Sequence, residues 1–280
     1  MKITVLLDNN PHPTTDNFLT EHGLSIYFEF DGLKWLIDTG ASDRFYTNAR
    51  LMGVDISEVD YLALSHGHFD HTGGLEQFIG INSKARIYLS SSVRGKSFFS
   101  YSCQPCRNIG IDAELLKRHA ERFVYVDRSF GISRNVGLIT TFPNIYGTPK
   151  ANACLKVVEN NRETADDFSH EIVTVADTPD GLIIFSGCSH CGLLNILHRC
   201  SEQYTGKKIA ACIGGTHLVD SEADFRNETD SDIIQIARTI TELYPEMKLI
   251  TGHCTGKTAA GTLSGLLGDR FTLFYSGFVL

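Results

Sequence analysis

The sequence predicts an α/β (α+β) protein with a four-layer αββα sandwich, in which two mixed sheets pack face to face and helices cover their outer sides. Three observations predict this architecture. Short runs rich in β-branched and aromatic residues recur from residue 3 to residue 275. Amphipathic segments lie between these runs, and neither a linker nor a repeat interrupts the series. We therefore expect one domain over residues 1–280.

The predicted sheets begin with an antiparallel hairpin. Asp31-Gly32 separates two strand-like runs, and its glycine supplies the positive φ angle that a tight turn requires. The strand-like runs cover residues 3–7, 24–30, 33–37, 59–64, 85–89, 123–126, 136–141, 154–158, 172–175, 182–185, 209–213, 249–251 and 271–275.

The predicted helices each carry one apolar face. The clearest covers residues 230–244, where apolar side chains recur at helical spacing and Pro245 ends the segment. The others lie near 43–52, 73–79, 112–120, 192–203 and 257–267. The least regular stretch, near residues 90–110, predicts a long, lid-like excursion.

The composition is that of an ordinary globular protein, with 42% hydrophobic and 21% charged residues. A net charge of −8 with scattered Lys and Arg argues against a nucleic-acid partner. The chain lacks an apolar run of roughly 18 residues, and its apolar opening meets Asp8 too soon for a signal peptide. Eight cysteines in such a chain favour free thiols or metal contacts. We therefore expect a cytoplasmic protein without a membrane partner.

Four metal-ligand side chains follow the predicted strand 59–64: His66, His68, Asp70 and His71. In an extended segment His66 and His68 project to the same side and can share one metal, while the following turn can reach a second. The alternative is a histidine-rich solvated loop in which Asp70 caps a helix. Three histidines and an aspartate at one strand end favour the metal site.

The His-x-His-x-Asp-His pattern at 66–71 resembles the signature of the metallo-β-lactamase superfamily, and Asp38-Thr39-Gly40 resembles its Asp-Thr-Gly turn. Segments 186–192, 214–218 and 251–256 resemble one branch, described as 7,8-dihydropterin-6-methyl-4-(ribofuranosyl)aminobenzene-5′-phosphate synthase-like metal-dependent hydrolases. The resemblance implies a metallo-β-lactamase-like fold over nearly the whole chain. It also implies that two metal ions support hydrolysis of an ester, phosphoester or amide-like bond.

The resemblance further implies which residues hold the two divalent cations. The ligands would be His66, His68 and His190 for the first metal and Asp70, His71 and His253 for the second. Asp70 would also be catalytic. Imidazole and carboxylate ligands favour zinc, and iron or manganese suit the same ligands.

Three other residues are interpreted by comparison with the superfamily. Asp38 would orient ligating imidazoles, with a turn-forming role as the alternative. Many members carry a metal-bridging aspartate where this chain has Cys188, which would bridge as a thiolate, ligate one metal, or pack as an apolar residue. Many also carry a histidine before that strand, but the acidic neighbours of His170 predict a solvated loop.

Two segments predict contacts with a small, anionic substrate. Thr255, Gly256 and Lys257 precede a predicted helix, and their N–H groups with the lysine charge would bind a phosphate or carboxylate. Ordinary capping of that helix is the alternative. We expect His217, which follows a buried strand and two glycines, to orient the substrate or donate to developing negative charge.

Other activities fit parts of the sequence. The branch description suggests a pterin-pathway synthase or transferase that joins a dihydropterin to an aminobenzene ribotide phosphate. A di-iron oxidoreductase is disfavoured by His68, where flavodiiron proteins usually have Glu. A non-catalytic sensor is a further hypothesis.

The pairs Cys103/Cys106 and Cys188/Cys191 have the count for a four-cysteine zinc site, which His190 inside the second pair disfavours. The sequence gives no indication of oligomeric state.

Overall fold

The computed structural model of the chain describes residues 1–102, 105–220 and 227–280. Every strand and helix expected from the sequence is present, with ends that differ by a few residues. The strands are β1 (Lys2–Leu7), β2 (Ser25–Phe30), β3 (Leu33–Ile37), β4 (Tyr61–Ala63), β5 (Arg86–Ser90), β6 (Lys96–Ser100), β7 (Arg107–Asn108), β8 (Phe123–Val126), β9 (Phe130–Gly131), β10 (Val136–Ile139), β11 (Leu155–Glu159), β12 (Arg162–Ala165), β13 (Val173–Thr178), β14 (Gly181–Phe185), β15 (Ile209–Ile213), β16 (Lys248–Thr251) and β17 (Phe271–Leu273). The helices are α1 (Arg44–Leu51), α2 (Phe69–Thr72), α3 (Leu75–Ile81), α4 (Ala113–Arg118), α5 (Leu193–Gln203), α6 (Asp230–Leu243) and α7 (Lys257–Leu267).

Two large mixed sheets form the centre of the molecule. The first has the strand order β1-β2-β3-β4-β5-β8, and the second has β17-β16-β15-β14-β13-β10-β9. In each sheet antiparallel pairs on one side give way to parallel pairs on the other, as at β3-β4 and β14-β15. The predicted hairpin joins β2 to β3, and both turn residues have positive φ, 54° at Asp31 and 74° at Gly32.

The core lies in three layers of apolar contacts. Between the sheets, Phe28 of the first stacks on Phe185 of the second with ring centroids 4.3 Å apart. Outside the first sheet, buried side chains pack against α1, α3 and α4, and outside the second they pack against α5, α6 and α7. The fold is therefore the four-layer αββα sandwich that the sequence predicts.

Helix α6 shows why the periodic segments fold as expected. Thr229 and Asp232 form a capping box at its start, which satisfies backbone N–H groups that have no partner inside the helix. Ile233, Ala237 and Ile240 are its buried face. Among the helices in the described part of the chain, none is long and apolar enough to cross a membrane.

A third sheet, with the order β12-β11-β6-β7, contains much of the stretch near residues 90–110. Strand β6 pairs with β11 on one side and with β7 on the other. The stretch is thus more regular than the sequence indicates. Its function as a lid stays a prediction.

Strand direction determines where the chemical groups lie. Asp38 follows β3, His66 follows β4, and Cys188, His217 and His253 follow β14, β15 and β16. Because neighbouring parallel strands end at the same edge of a sheet, the loops after β3 and β4 open at one edge of the first sheet, and the loops after β14, β15 and β16 open at one edge of the second.

Candidate metal centre

The first group of candidate ligands consists of His66, His68 and His190. One ring nitrogen from each lies within 4.8 Å of the other two, and all three residues are buried. Their Nε2 atoms have no hydrogen-bond partner among the described residues. Burial lowers the pKa of His68, and lowers that of His66 and His190 well below the ordinary value. Neutral imidazoles with free nitrogens are the form that binds metals.

Hydrogen bonds from Asp38 determine which ring nitrogens face the centre. Its carboxylate accepts from Nδ1 of His71 at 2.6 Å and from the hydroxyl of Ser65, also at 2.6 Å. Because the one hydroxyl proton of Ser65 is used, its oxygen accepts from Nδ1 of His66 at 2.9 Å. Both imidazoles therefore carry their proton on Nδ1 and direct an unprotonated Nε2 inward, which is the arrangement an orienting role for Asp38 requires.

Two asparagines orient the histidines of the other ligand loops through hydrogen bonds of the same kind. Asn152 accepts from Nδ1 of His190 at 3.0 Å, and Asn9 accepts from Nδ1 of His253 at 3.0 Å. Each asparagine amide also donates to the backbone carbonyl of the histidine it holds, which fixes its orientation. These side chains lie far from the histidines in the chain, and sequence reasoning missed them.

The second group consists of Asp70, His71, Cys188 and His253, whose ligand atoms also lie within 4.8 Å of one another. Nε2 of His71 lies 3.1 Å from Nε2 of His253. Burial opposes ionisation of Asp70, but the imidazoles around it hold its pKa well below the usual range. Asp70 is therefore an ionised, buried carboxylate facing two imidazoles.

Cys188, a member of the second group, also lies close to His190 of the first. Its Sγ is 3.1 Å from Nε2 of His71 and 3.2 Å from Nε2 of His253. It also forms a cluster with His190 and His217. Of the three roles considered for Cys188, packing alone does not explain a thiol in contact with both groups.

Residues of the segment 166–171 form hydrogen bonds with the loops that carry the first group. The prediction that His170 lies on a solvated loop was wrong. His170 is fully buried: its Nδ1 accepts from the backbone N–H of Gly67 at 3.0 Å, and its Nε2 lies 3.2 Å from the carboxylate of Asp166. Next to it, the buried carboxylate of Glu171 accepts from the N–H of His190 at 2.8 Å. Two of the acidic residues that suggest a solvated loop, Asp166 and Glu171, are instead buried and contact His170 and the His190 loop.

Three residues of the candidate site have a strained backbone. Asp38, His217 and His253 have φ angles of 59°, 51° and 51°, in the left-handed region that costs a non-glycine residue about 1–3 kcal/mol. For His253 a specific contact holds it there, because its N–H donates to the buried carboxylate of Asp8 at 2.7 Å. Strain of this kind typically marks functional sites.

His217 lies beside the first group, with its ring centroid 4.1 Å from that of His190. Neither of its ring nitrogens has a hydrogen-bond partner in the part of the chain that the structure describes. Members of both groups line a cavity of about 490 Å³, large enough for a small molecule: His68, His190, Asp70, Cys188 and His253, together with His217.

At the anion site predicted for Thr255, Gly256 and Lys257, the backbone N–H groups already have acceptors within the protein. The carboxylate of Asp220 accepts from the N–H of Lys257 at 2.8 Å and from the N–H of Thr258 at 3.0 Å. The hydroxyl of Thr255 is buried against Thr251 at 2.6 Å. Asp220, which is distant in the chain, thus caps the start of α7, and this arrangement favours the capping alternative.

The cysteine pairs do not share a site in the described structure. Cys188 belongs to the second group, whereas Cys191 faces the carbonyl of Phe168 and Cys106 is exposed. Cys103 lies outside the described residues.

Comparison with known proteins agrees with this geometry. The family model of the metallo-β-lactamase superfamily matches residues 20–94. A protein of Methanocaldococcus jannaschii named 7,8-dihydropterin-6-methyl-4-(β-D-ribofuranosyl)-aminobenzene-5′-phosphate synthase is 29% identical, covering 94% of this chain and 90% of its own length.

Solved structures of proteins with the metallo-β-lactamase fold are also similar to this chain. The crystal structure of Tm1679, described as a metal-dependent hydrolase of the β-lactamase superfamily, is 29% identical with a TM-score of 0.81, covering 100% of this chain and 98% of that one. YhfI from Bacillus subtilis, described as a metallo-β-lactamase fold protein, shares the fold at 12% identity and a TM-score of 0.58, over 100% of this chain and 98% of its own. The chain thus has the metallo-β-lactamase fold and is similar, over nearly its whole length, to proteins of that superfamily.

Proposed function

We propose that this enzyme is a hydrolase that holds two divalent cations and cleaves an ester, phosphoester or amide-like bond of a small anionic molecule. One observation carries the proposal. Three buried Nε2 atoms, of His66, His68 and His190, belong to one group and have no hydrogen-bond partner among the described residues, although Nε2 of His68 lies 3.7 Å from the carboxylate of Asp166. Buried polar atoms are normally hydrogen-bonded, so three together without a partner favour a bound cation.

The ligand sets follow from the two groups. The first cation would be held by His66, His68 and His190, and the second by Asp70, His71 and His253. Cys188 would contact one or both cations as a thiolate. Imidazole and thiolate donors favour zinc over iron or manganese.

The chemistry combines the cations with residues that face the cavity. Two cations at these positions would activate water and polarise the bond to be cleaved. A free ring nitrogen of His217 would donate to the oxygen on which negative charge develops. Asp70, as an ionised carboxylate in contact with His71 and His253, would keep the second cation in place through the reaction.

The proposal is tested by metal analysis and hydrolysis on the same preparation. We expect about two transition-metal equivalents per chain and hydrolysis of 4-nitrophenyl acetate or bis(4-nitrophenyl) phosphate. Asp70→Asn should abolish turnover, while Asp180→Asn, in the exposed turn between β13 and β14, should not change it. Protein that binds no transition metal, or that cleaves neither compound when loaded, contradicts the proposal.

A second candidate function is a pterin-pathway synthase, favoured by the 29% identity to the archaeal protein of that name. Its test is incubation of the metal-loaded enzyme with a dihydropterin pyrophosphate and the aminobenzene ribotide phosphate. Formation of the joined product supports the synthase. No product, under conditions in which simple esters are cleaved, removes it.

A further inference from the structure

The cavity above the candidate metal centre contains one Lys or Arg side chain among its described lining residues, Arg107. Its guanidinium is exposed and has no hydrogen bond or ion pair within residues 1–102, 105–220 and 227–280. In a chain with a net charge of −8, an unpaired cation in the candidate substrate cavity requires an explanation. The guanidinium of Arg107 carries five N–H donors in a planar arrangement that matches carboxylate and phosphate groups.

The backbone that carries Arg107 is attached to the candidate ligand loop. Strand β7 pairs with β6, and beyond it the carbonyl of Ile109 accepts from the N–H of Phe69 at 2.7 Å. Ile111 donates in turn to the carbonyl of Gly67 at 2.8 Å. Arg107 is therefore held in a defined relation to the loop 66–71.

The cavity that holds both the guanidinium and the candidate ligands has a largely apolar lining. Phe69, Ile109 and Leu155 are among its apolar lining residues, and Ser100 and Ser102 are among its polar ones. A ligand that fits this lining has an apolar body with a negatively charged group at one end. The N-terminus of α7, the other candidate for that charge, is capped by Asp220.

We propose that Arg107 determines substrate specificity by binding a carboxylate or phosphate group of the substrate that lies outside the reacting bond. This inference rests on the proposed function, because it assigns the candidate centre to the reacting bond and Arg107 to the rest of the molecule. It replaces Lys257 by Arg107 as the residue that recognises the anion.

The test measures binding, so that it does not depend on turnover. Isothermal titration of the metal-loaded protein compares dicarboxylates from succinate to suberate with monocarboxylates of equal length. One dicarboxylate of suitable length should bind about tenfold more tightly than its monocarboxylate, which corresponds to one charge-assisted hydrogen-bonded pair. Arg107→Ala should remove that advantage and leave monocarboxylate binding unchanged. A second arm, with ω-phosphonocarboxylates, shows which anionic group is preferred.

Arg86→Ala is the matched control, since Arg86 is exposed at the start of β5 and does not line the cavity. Equal binding of dicarboxylates and monocarboxylates to the unsubstituted protein, or an advantage that persists in Arg107→Ala, overturns the proposal. Failure to cleave esters would contradict the proposed function. The difference in affinity between dicarboxylates and monocarboxylates is measured without turnover, so it tests the role of Arg107 independently.

Discussion

The two candidate metal groups differ in how their ligand atoms are satisfied. In the first, the Nε2 atoms of His66, His68 and His190 have no hydrogen-bond partner within the described chain. In the second, Asp70 lies 3.4 Å from His253 and 3.3 Å from the exposed His22, so its charge is partly balanced by the protein. Because an unpartnered buried polar group is costly, the first group gains more from a cation. We therefore expect the first cation to bind more tightly.

The largest effect should come from removing the cations altogether. Chelation should abolish hydrolysis and lower the free energy of unfolding by about 4 kcal/mol, the contribution of a ligand present at a thousand times its dissociation constant. Urea unfolding with and without chelator measures this. Reloading with zinc should restore both properties, and equal stability of loaded and chelated protein would contradict the comparison.

Substitution of one ligand in each group separates the two sites. His190→Ala should lose the tightly bound cation, whereas His253→Ala should keep it and lose the weaker one. Both should reduce turnover by more than the roughly 100-fold expected when a residue only orients a ligand. Metal equivalents after dialysis are the measurement. Loss of the more tightly bound cation from His253→Ala would contradict the claim that the first group holds it.

Substitution of the two asparagines should distinguish the two metal groups through smaller losses of metal affinity. Asn152→Ala removes the hydrogen bond to His190, and Asn9→Ala removes the one to His253. Each should weaken metal affinity about 10–100-fold, the usual effect of losing a partner that orients a ligand. Competition with a chelator should show the first substitution affecting the tighter site and the second the weaker site. Equal effects of both on one site would show that the groups are not separate.

The smallest effect is expected at Asp220, outside both groups. Asp220→Ala removes the carboxylate that accepts from the N–H groups of Lys257 and Thr258, and should lower stability by about 1 kcal/mol. Metal content should not change. A change in metal content would mean that α7 also determines the position of the His253 loop.

The fold was largely predictable because strand and helix periodicity follow burial. Runs such as Ile209–Ile213 are apolar throughout, as a strand covered on both faces requires. The third sheet was missed because β7 has two exposed residues and β12 is exposed throughout, so neither carries an apolar pattern. Their pairing depends on contacts with β6 and β11 that no local sequence shows.

The candidate site was predictable only where its residues are contiguous or belong to a motif. The segment 66–71 indicates metal ligands by itself, but Asn9, Asn152 and Glu171 are single polar residues without a pattern. His170 shows the limit most clearly, since its acidic neighbours suggest solvent although Asp166 and Gly67 satisfy both of its ring nitrogens. Residues that orient ligands are determined by tertiary contacts.

The most direct test of the account is a crystal structure of the metal-loaded enzyme with anomalous scattering at the zinc, iron and manganese edges. Two anomalous peaks are expected. If the metal is zinc, one lies about 2.0–2.1 Å from Nε2 of His66, His68 and His190. The other should lie among Asp70, His71 and His253. A fully loaded protein with no peak among the three free Nε2 atoms would contradict it.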